Sequence, residues 1–162
     1  IKEYSKRNEN YFFLIPAADK KILSVLNKYL LNEDLPILIK ENSMRDFLSI
    51  SDLSVATSGT ATLESAVLEC PPIICYKTNF LNYSIISRML KIKDVGLPNL
   101  LLGDRAYKEL IQHDCNVANI IHAVEETKNS ISESIVFLPK CHSCELLGPL
   151  FRSKWNYGHT VN

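Results

Sequence analysis

No apolar run in this chain approaches the length needed to span a bilayer, so a membrane-crossing helix is not expected. No secretory leader is visible, although a cut chain could have lost one. An excess of charge of one sign is also missing. Lys+Arg and Asp+Glu number 18 each, so net charge argues neither for nor against nucleic acid or acidic partners. Internal repeats are absent. The five cysteines are scattered and odd in number, which fits poorly with a disulfide framework and makes a reducing cytosol the simplest inference. An initiating methionine is lacking too. The chain starts at Ile1 and turns amphipathic almost at once, so its start is expected to be a cut through a longer protein. What is present is a chain of 162 residues, 46 % of them apolar, which is enough for one folded domain with a core.

Strand and helix patterns alternate. Tyr11–Ala18 reads as a short aromatic-rich strand with Pro16 near its end. Asp19–Leu31 follows with Ile22, Leu23, Leu26, Leu30 and Leu31 at helical spacing. Leu35–Lys40 is a second strand, and Asn42 or Ser43 can cap the helix carrying Met44, Phe47, Leu48 and Ile50. Leu53–Thr57 is a third strand. Ser58-Gly59-Thr60 turns into a helix through Leu68, and Pro72–Lys77 is a fourth strand. A helix is predicted over Leu81–Leu90, a loop over Lys93–Gly103, and two short helices near Tyr107–Gln112 and Val117–Thr127. This alternation implies an α/β domain with a parallel sheet and helices on both faces. The expected domain runs over 1–129, with a divergent, mostly irregular tail over 130–162.

Two stretches carry chemistry. In Ala56–Glu64, ATSGTATLE, a strand ends and a Ser-Gly-Thr turn begins a helix. Helix starts hold unpaired N–H groups and partial positive charge that attract phosphates. Gly59 lets backbone approach a ligand, and the hydroxyls of Ser58 and Thr60 offer hydrogen bonds. In open parallel sheets ligands bind at the carboxyl ends of the strands, where this turn falls. Glu64, one turn on, can accept both hydroxyls of a ribose. A plain helix cap and an acid favoured by the helix dipole are the alternatives, and by spacing alone the commoner ones. The second stretch, Val95–Gly103, VGLPNLLLG, is an apolar run bounded by glycines with one amide, Asn99. It can fold over a ligand, or be a buried linker in which Asn99 bonds backbone.

Together these motifs resemble those of the lipid-A-disaccharide synthases. The chain has SGTATLE at 58–64, CPPIICYK at 70–77, LPNLLLG at 97–103 and ELIQ at 109–112, in the family's order and spacing from about Asp52 to Gln112. A weaker likeness runs from Tyr11 to about Thr127. The resemblance implies a Rossmann-like, C-terminal domain of a GT-B glycosyltransferase. It implies that Ser58, Gly59 and Thr60 hold the UDP diphosphate and that Glu64 binds the ribose. Asn99, Glu109 and Gln112 would shape the donor side of the cleft, and Met44 would lie near uracil. No metal or other cofactor is implied. The partners implied are UDP-2,3-diacylglucosamine and acylated glucosamine 1-phosphate, at the inner-membrane surface of a Gram-negative cytoplasm, with a homodimer possible and no nucleic acid. No catalytic residue is expected in this half. The family's upstream L-P-G-S-R segment and its acceptor domain, with the expected base, are not in the chain.

The tail departs from the family. It reads FLPKCHSCELLGPLFRSKWNYGHTVN, where a helical segment exchanged between subunits is expected. A shifted frame or a degenerating gene would explain this. Cys141-His142-Ser143-Cys144 suggests zinc, but a second ligand pair is not evident, His113 and Cys115 being near in type and not in motif. Phe80, Leu81, Tyr83, Ile85, Ile86, Met89 and Leu90, interleaved with Arg88, Lys91 and Lys93, fit either a packed helix or one lying on an anionic membrane. The alternatives to a synthase fragment are a non-catalytic remnant or partner-binding module, and another UDP-sugar enzyme of GT-B architecture.

Overall fold

The structure, a computed structural model, describes residues 1–8, 10–30, 34–78 and 94–134. These divide into two compact units, Ile1–Ile50 and the residues from Ser51 onward.

The first unit holds α1 (Lys2–Ser5), β1 (Phe13–Ala17), α2 (Lys20–Leu30), β2 (Ile37–Glu41) and α3 (Met44–Ile50). The two strands pair in parallel, with Phe13 opposite Ile37 and Ala17 opposite Glu41. Asp19 caps α2 through its carboxylate, which accepts the Ile22 N–H at 2.8 Å. Ser43 starts α3 with its carbonyl, which accepts from Phe47, while its hydroxyl donates back to Lys40 O at 2.8 Å. Ala17, Phe47 and Leu48 are buried, and Tyr4 meets the rings of Tyr11 and Phe13 edge-on.

The second unit holds β3 (Ser54–Thr57), α4 (Thr60–Val67), β4 (Pro72–Tyr76), α5 (Leu97–Leu102), β5 (Glu109–Ile111) and α6 (Val117–Ser134). Its sheet has the order β3-β4-β5, and both pairings are parallel. Side chains alternate across the central strand. Ile73 and Cys75 join Leu110 and Ala123 in the core, with Ile120 and Val124 of α6 packed against them. Ile74 points the other way, toward Gly96 before α5. Both faces of β4 are therefore covered, and burying each of its two isoleucines contributes roughly 1.5–3 kcal/mol. At the end of the sheet remote from the α4 start, Ser65 donates to Cys70 O at 2.5 Å. Ser54 then supplies the proton of the 2.6 Å Ser54–Ser65 contact, which fastens the last turns of α4 to β3.

Parallel strands alternating with helices make this an α/β, Rossmann-like arrangement, as the sequence predicts. Three elements differ from expectation. The loop expected up to Gly103 contains α5. Proline is well placed in a helix's first turn, where no N–H is needed, and Gly103 closes the helix in the left-handed region at φ 70°. The helix expected near Tyr107–Gln112 is strand β5. Its backbone bonds go to β4, a long-range pairing that overrides local propensity. The last helix runs past Thr127 to Ser134, with the Ser130 hydroxyl bonded back to Glu126 O at 3.0 Å, so the first residues of the expected irregular tail are helical. The helix expected at Leu81–Leu90, the basic apolar segment up to Lys93, and Cys141-His142-Ser143-Cys144 lie outside the described residues.

Candidate functional site

Because β3, β4 and β5 run parallel, their carboxyl ends share one edge. Ser58-Gly59-Thr60 follows β3 there, Thr78 lies just beyond β4, and Gln112 follows β5. Gly59 caps α4 with φ 155° and ψ −163°, a conformation essentially restricted to glycine. A Cβ built on it would meet nothing within 4 Å, so backbone conformation, not space, requires glycine. Among the described residues, the space on that side of Gly59 is empty. The N-cap residue of α4 is Gly59, which has no side chain to cap it, and the first N–H groups of a helix have no acceptor inside it. Thr60 is exposed. Thr62 is buried, and its hydroxyl donates to Gly59 O at 2.7 Å, tying down the turn from within.

Ser58 is not used as a helix cap. Its hydroxyl donates to Val95 O at 2.6 Å, and its N–H donates to Cys75 O at 3.0 Å. Glu64 lies one turn into α4 and is half-buried. Met44 opens α3 in the first unit, also half-buried. The other seven residues of the expected site all belong to the second unit.

Asn99 and Glu109 form one buried cluster, at 1 % and 9 % exposure. The Asn99 amide donates to Glu109 Oε1 at 2.8 Å and to Tyr107 O at 2.9 Å, while its oxygen accepts the Tyr107 N–H at 2.9 Å. This is the backbone bonding expected of a buried linker. Glu109 also accepts the N–H groups of Val95, at 2.8 Å on Oε2, and of Gly96, at 2.9 Å on Oε1. Gln112 sits in the left-handed region at φ 51°. Its N–H donates to Tyr76 O at 2.7 Å, and its side-chain oxygen accepts the Thr78 N–H at 3.0 Å. A non-glycine residue held there marks a strained position that its neighbours enforce. Val95, Gly96 and Thr78 were not singled out in the sequence as part of this cluster. The Val-Gly pair directly before LPN was the available sign, since a glycine next to buried groups often marks close approach.

The two histidines of this unit are at the surface. His113 is exposed on the turn after β5, not on a helix, and His122 is exposed on α6 near Glu126. Among the described residues, no group of three or more His, Cys, Asp or Glu side chains is placed to hold a metal. Burial, and then the neighbouring Cys115, push the Cys75 thiol up to about 12, so it stays a protonated core group.

A glycine-cleared helix start at the carboxyl edge of a parallel α/β sheet is the arrangement of a nucleotide-binding, Rossmann-like domain such as GT-B glycosyltransferases contain. The chain belongs to the lipid-A-disaccharide synthetase family, whose model matches residues 1–136. The lipid-A-disaccharide synthase of Psychromonas ingrahamii is 34% identical over 125 residues, covering 75% of this chain and 32% of that protein. That of Neisseria meningitidis serogroup A is 39% identical over 105 residues, covering 63% and 27%. That of Rickettsia prowazekii is 34% identical over 121 residues, covering 75% and 32%. The chain thus spans about a third of the length of the curated relatives it matches. The family match reaches beyond Thr127, where the likeness read from the sequence stops.

Proposed function

We propose that this chain is the UDP-binding part of a glycosyltransferase of lipid A biosynthesis. The whole protein would move a 2,3-diacylglucosamine unit from UDP to 2,3-diacylglucosamine 1-phosphate. Displacement would invert the donor's anomeric centre and release UDP. The observation that carries this is the start of α4 at Gly59, in a chain that matches the family across residues 1–136. The diphosphate would lie against the Gly59 and Thr60 N–H groups and the Thr60 hydroxyl, with Ser58 beside it. Glu64 would take the ribose hydroxyls. Asn99, Glu109 and Gln112 would shape the donor side. A helix start and hydrogen bonds can stabilise the departing diphosphate without a divalent cation. The family's lipid substrates point to work at the inner-membrane surface of a Gram-negative bacterium, as a peripheral protein or homodimer. No helix among the described residues is long and apolar enough to cross a membrane.

Calorimetric titration with UDP, with and without EDTA, tests the proposal. Binding is expected in both. Binding lost on chelation refutes the metal-free site, and no binding in either refutes the nucleotide reading. A second reading, a binding module without catalysis, is favoured for the chain alone by its coverage of a third of its relatives. Glycosyl transfer needs an acceptor held in line and a base within reach of its hydroxyl. The chain incubated with both sugar substrates is therefore expected to give no disaccharide, and turnover matching an intact synthase would refute this.

A further inference from the structure

Glu109 is remote in sequence from the turn at the start of α4, yet two short hydrogen bonds join them through one residue. Its Oε2 accepts the N–H of Val95 at 2.8 Å, and the carbonyl of Val95 accepts the Ser58 hydroxyl at 2.6 Å. We propose that Glu109 is a positioning residue: through Val95 it holds Ser58, and so fixes the backbone of Gly59 and Thr60 in the shape that receives a diphosphate. This rests on the diphosphate reading of that turn.

The chemistry at each link is restrictive. A serine hydroxyl has one proton, and Ser58 gives it to Val95. Ser58 therefore serves the turn as a tether, and donation to a phosphate is left to the backbone and Thr60. The tether has a fixed far end, because Gly96 N–H and the Asn99 amide hold Glu109 Oε1 at 2.9 and 2.8 Å. The turn needs such a tether. Gly59 at φ 155° is the residue type with the most alternative conformations, and as the N-cap residue of α4 it has no side chain with which to cap the helix.

The substitution that reads this is Glu109→Gln, equal in size. The three groups bonded to Glu109 are all N–H donors. A glutamine keeps one acceptor oxygen and turns an NH₂ toward the rest. With its oxygen in the place of Oε1, two bonds survive, and the NH₂ faces the Val95 N–H. Val95 must then move, and the Ser58 hydroxyl loses its anchor.

The experiment compares wild type, Glu109→Gln, Ser58→Ala and the double variant by amide NMR without ligand and by calorimetry with UDP. The expected result is a folded Glu109→Gln spectrum in which the Gly59 and Thr60 amides are displaced. UDP binding should weaken at least about tenfold, the scale of one hydrogen bond to a charged group. The double variant should bind no more weakly than the worse single one, because both cut the same chain of bonds. Should Glu109→Gln fail to fold, Glu109→Asp, which keeps both oxygens on a shorter arm, is expected to displace the same amides. Unmoved Gly59 and Thr60 amides, or additive losses of affinity, overturn the proposal. If wild type binds no UDP, the nucleotide reading falls, and the ligand-free amide shifts alone still decide the positioning role.

Discussion

Gly96→Ala is the sharpest test of the packing around the buried cluster. Gly96 has φ −81° and ψ 127°, which alanine adopts freely. At such positions the change normally stabilises a protein by about 0.4–1 kcal/mol, through the unfolded chain. Here the sign is expected to reverse. The new Cβ would stand 2.9 Å from Glu109 Oε1 and closer still to Ile74 Cδ1. Ile74 is fully buried in the central strand. Overpacking of this kind costs about 1–3 kcal/mol. Pushing Glu109 away also strains the bond from the Gly96 N–H, a link worth roughly 1.5–3 kcal/mol when one partner is charged. A loss of about 2.5–6 kcal/mol follows from the two together, against a total stability of about 5–15 kcal/mol for an ordinary domain. Urea unfolding of the two proteins, followed by circular dichroism, measures it. A loss below about 1 kcal/mol, or any gain, would mean that the cluster has slack and that the close approach of Gly96 is not a constraint.

Gly59→Ala has room for its methyl but not a suitable conformation, so it should lose about 1–3 kcal/mol in the same urea assay; an unchanged midpoint would show that the turn relaxes at no cost. Glu64→Ala should weaken UDP more than pyrophosphate, by about 1.5–3 kcal/mol, because pyrophosphate has no ribose; equal losses by calorimetry would remove the ribose assignment. The Cys75 thiol, at about 12 in the folded chain against 9.0 for a free one, favours the folded state only while it is protonated. Its contribution is complete below about pH 9 and is lost as pH rises toward 12, so Cys75→Ala should flatten the alkaline fall in stability; identical pH profiles would refute this.

The alternation of strands and helices was legible because β1 to β4 each present a short apolar run and α2 to α4 carry helical spacing or a turn signal. The α5 helix was not, because Leu97-Pro98-Asn99 reads as punctuation unless proline's tolerance in a first turn is weighed. Strand β5 was hidden for a different reason. Three residues are too few to display a period of two, and Glu109 within it has the composition of a helix surface. What makes it a strand is β4 alongside, bonded at Cys75↔Leu110 and Tyr76↔Ile111. Correcting β5 also relocates its neighbours. Glu109 and Gln112, expected on one short helix, instead lie at the start of β5 and directly after its end, and serve different partners.

The same geometry gives a physical reason why the separate motifs occur together. Asn99 of LPNLLLG bonds Glu109 of ELIQ, and Gln112 of ELIQ bonds Thr78 directly after CPPIICYK. Ser58 of SGTATLE reaches Val95 just ahead of LPNLLLG. Asn99 and Glu109 thus join two motifs directly, Ser58 and Gln112 join theirs to residues flanking two others, and a change in one strands a polar atom in its partner, at a cost of about 1–3 kcal/mol for a buried group. Four of the motif residues, Ser58, Asn99, Glu109 and Gln112, direct polar atoms inward in this way, toward protein and not toward the open edge. On the proposed diphosphate reading, contact with a nucleotide would fall to the start of α4 at Gly59 and to Thr60 and Glu64 on the helix that it begins. On that reading the bonds among Ser58, Val95, Asn99, Glu109, Gln112 and Thr78 are the scaffold that shapes the turn, and the few residues of the turn itself would carry the contact.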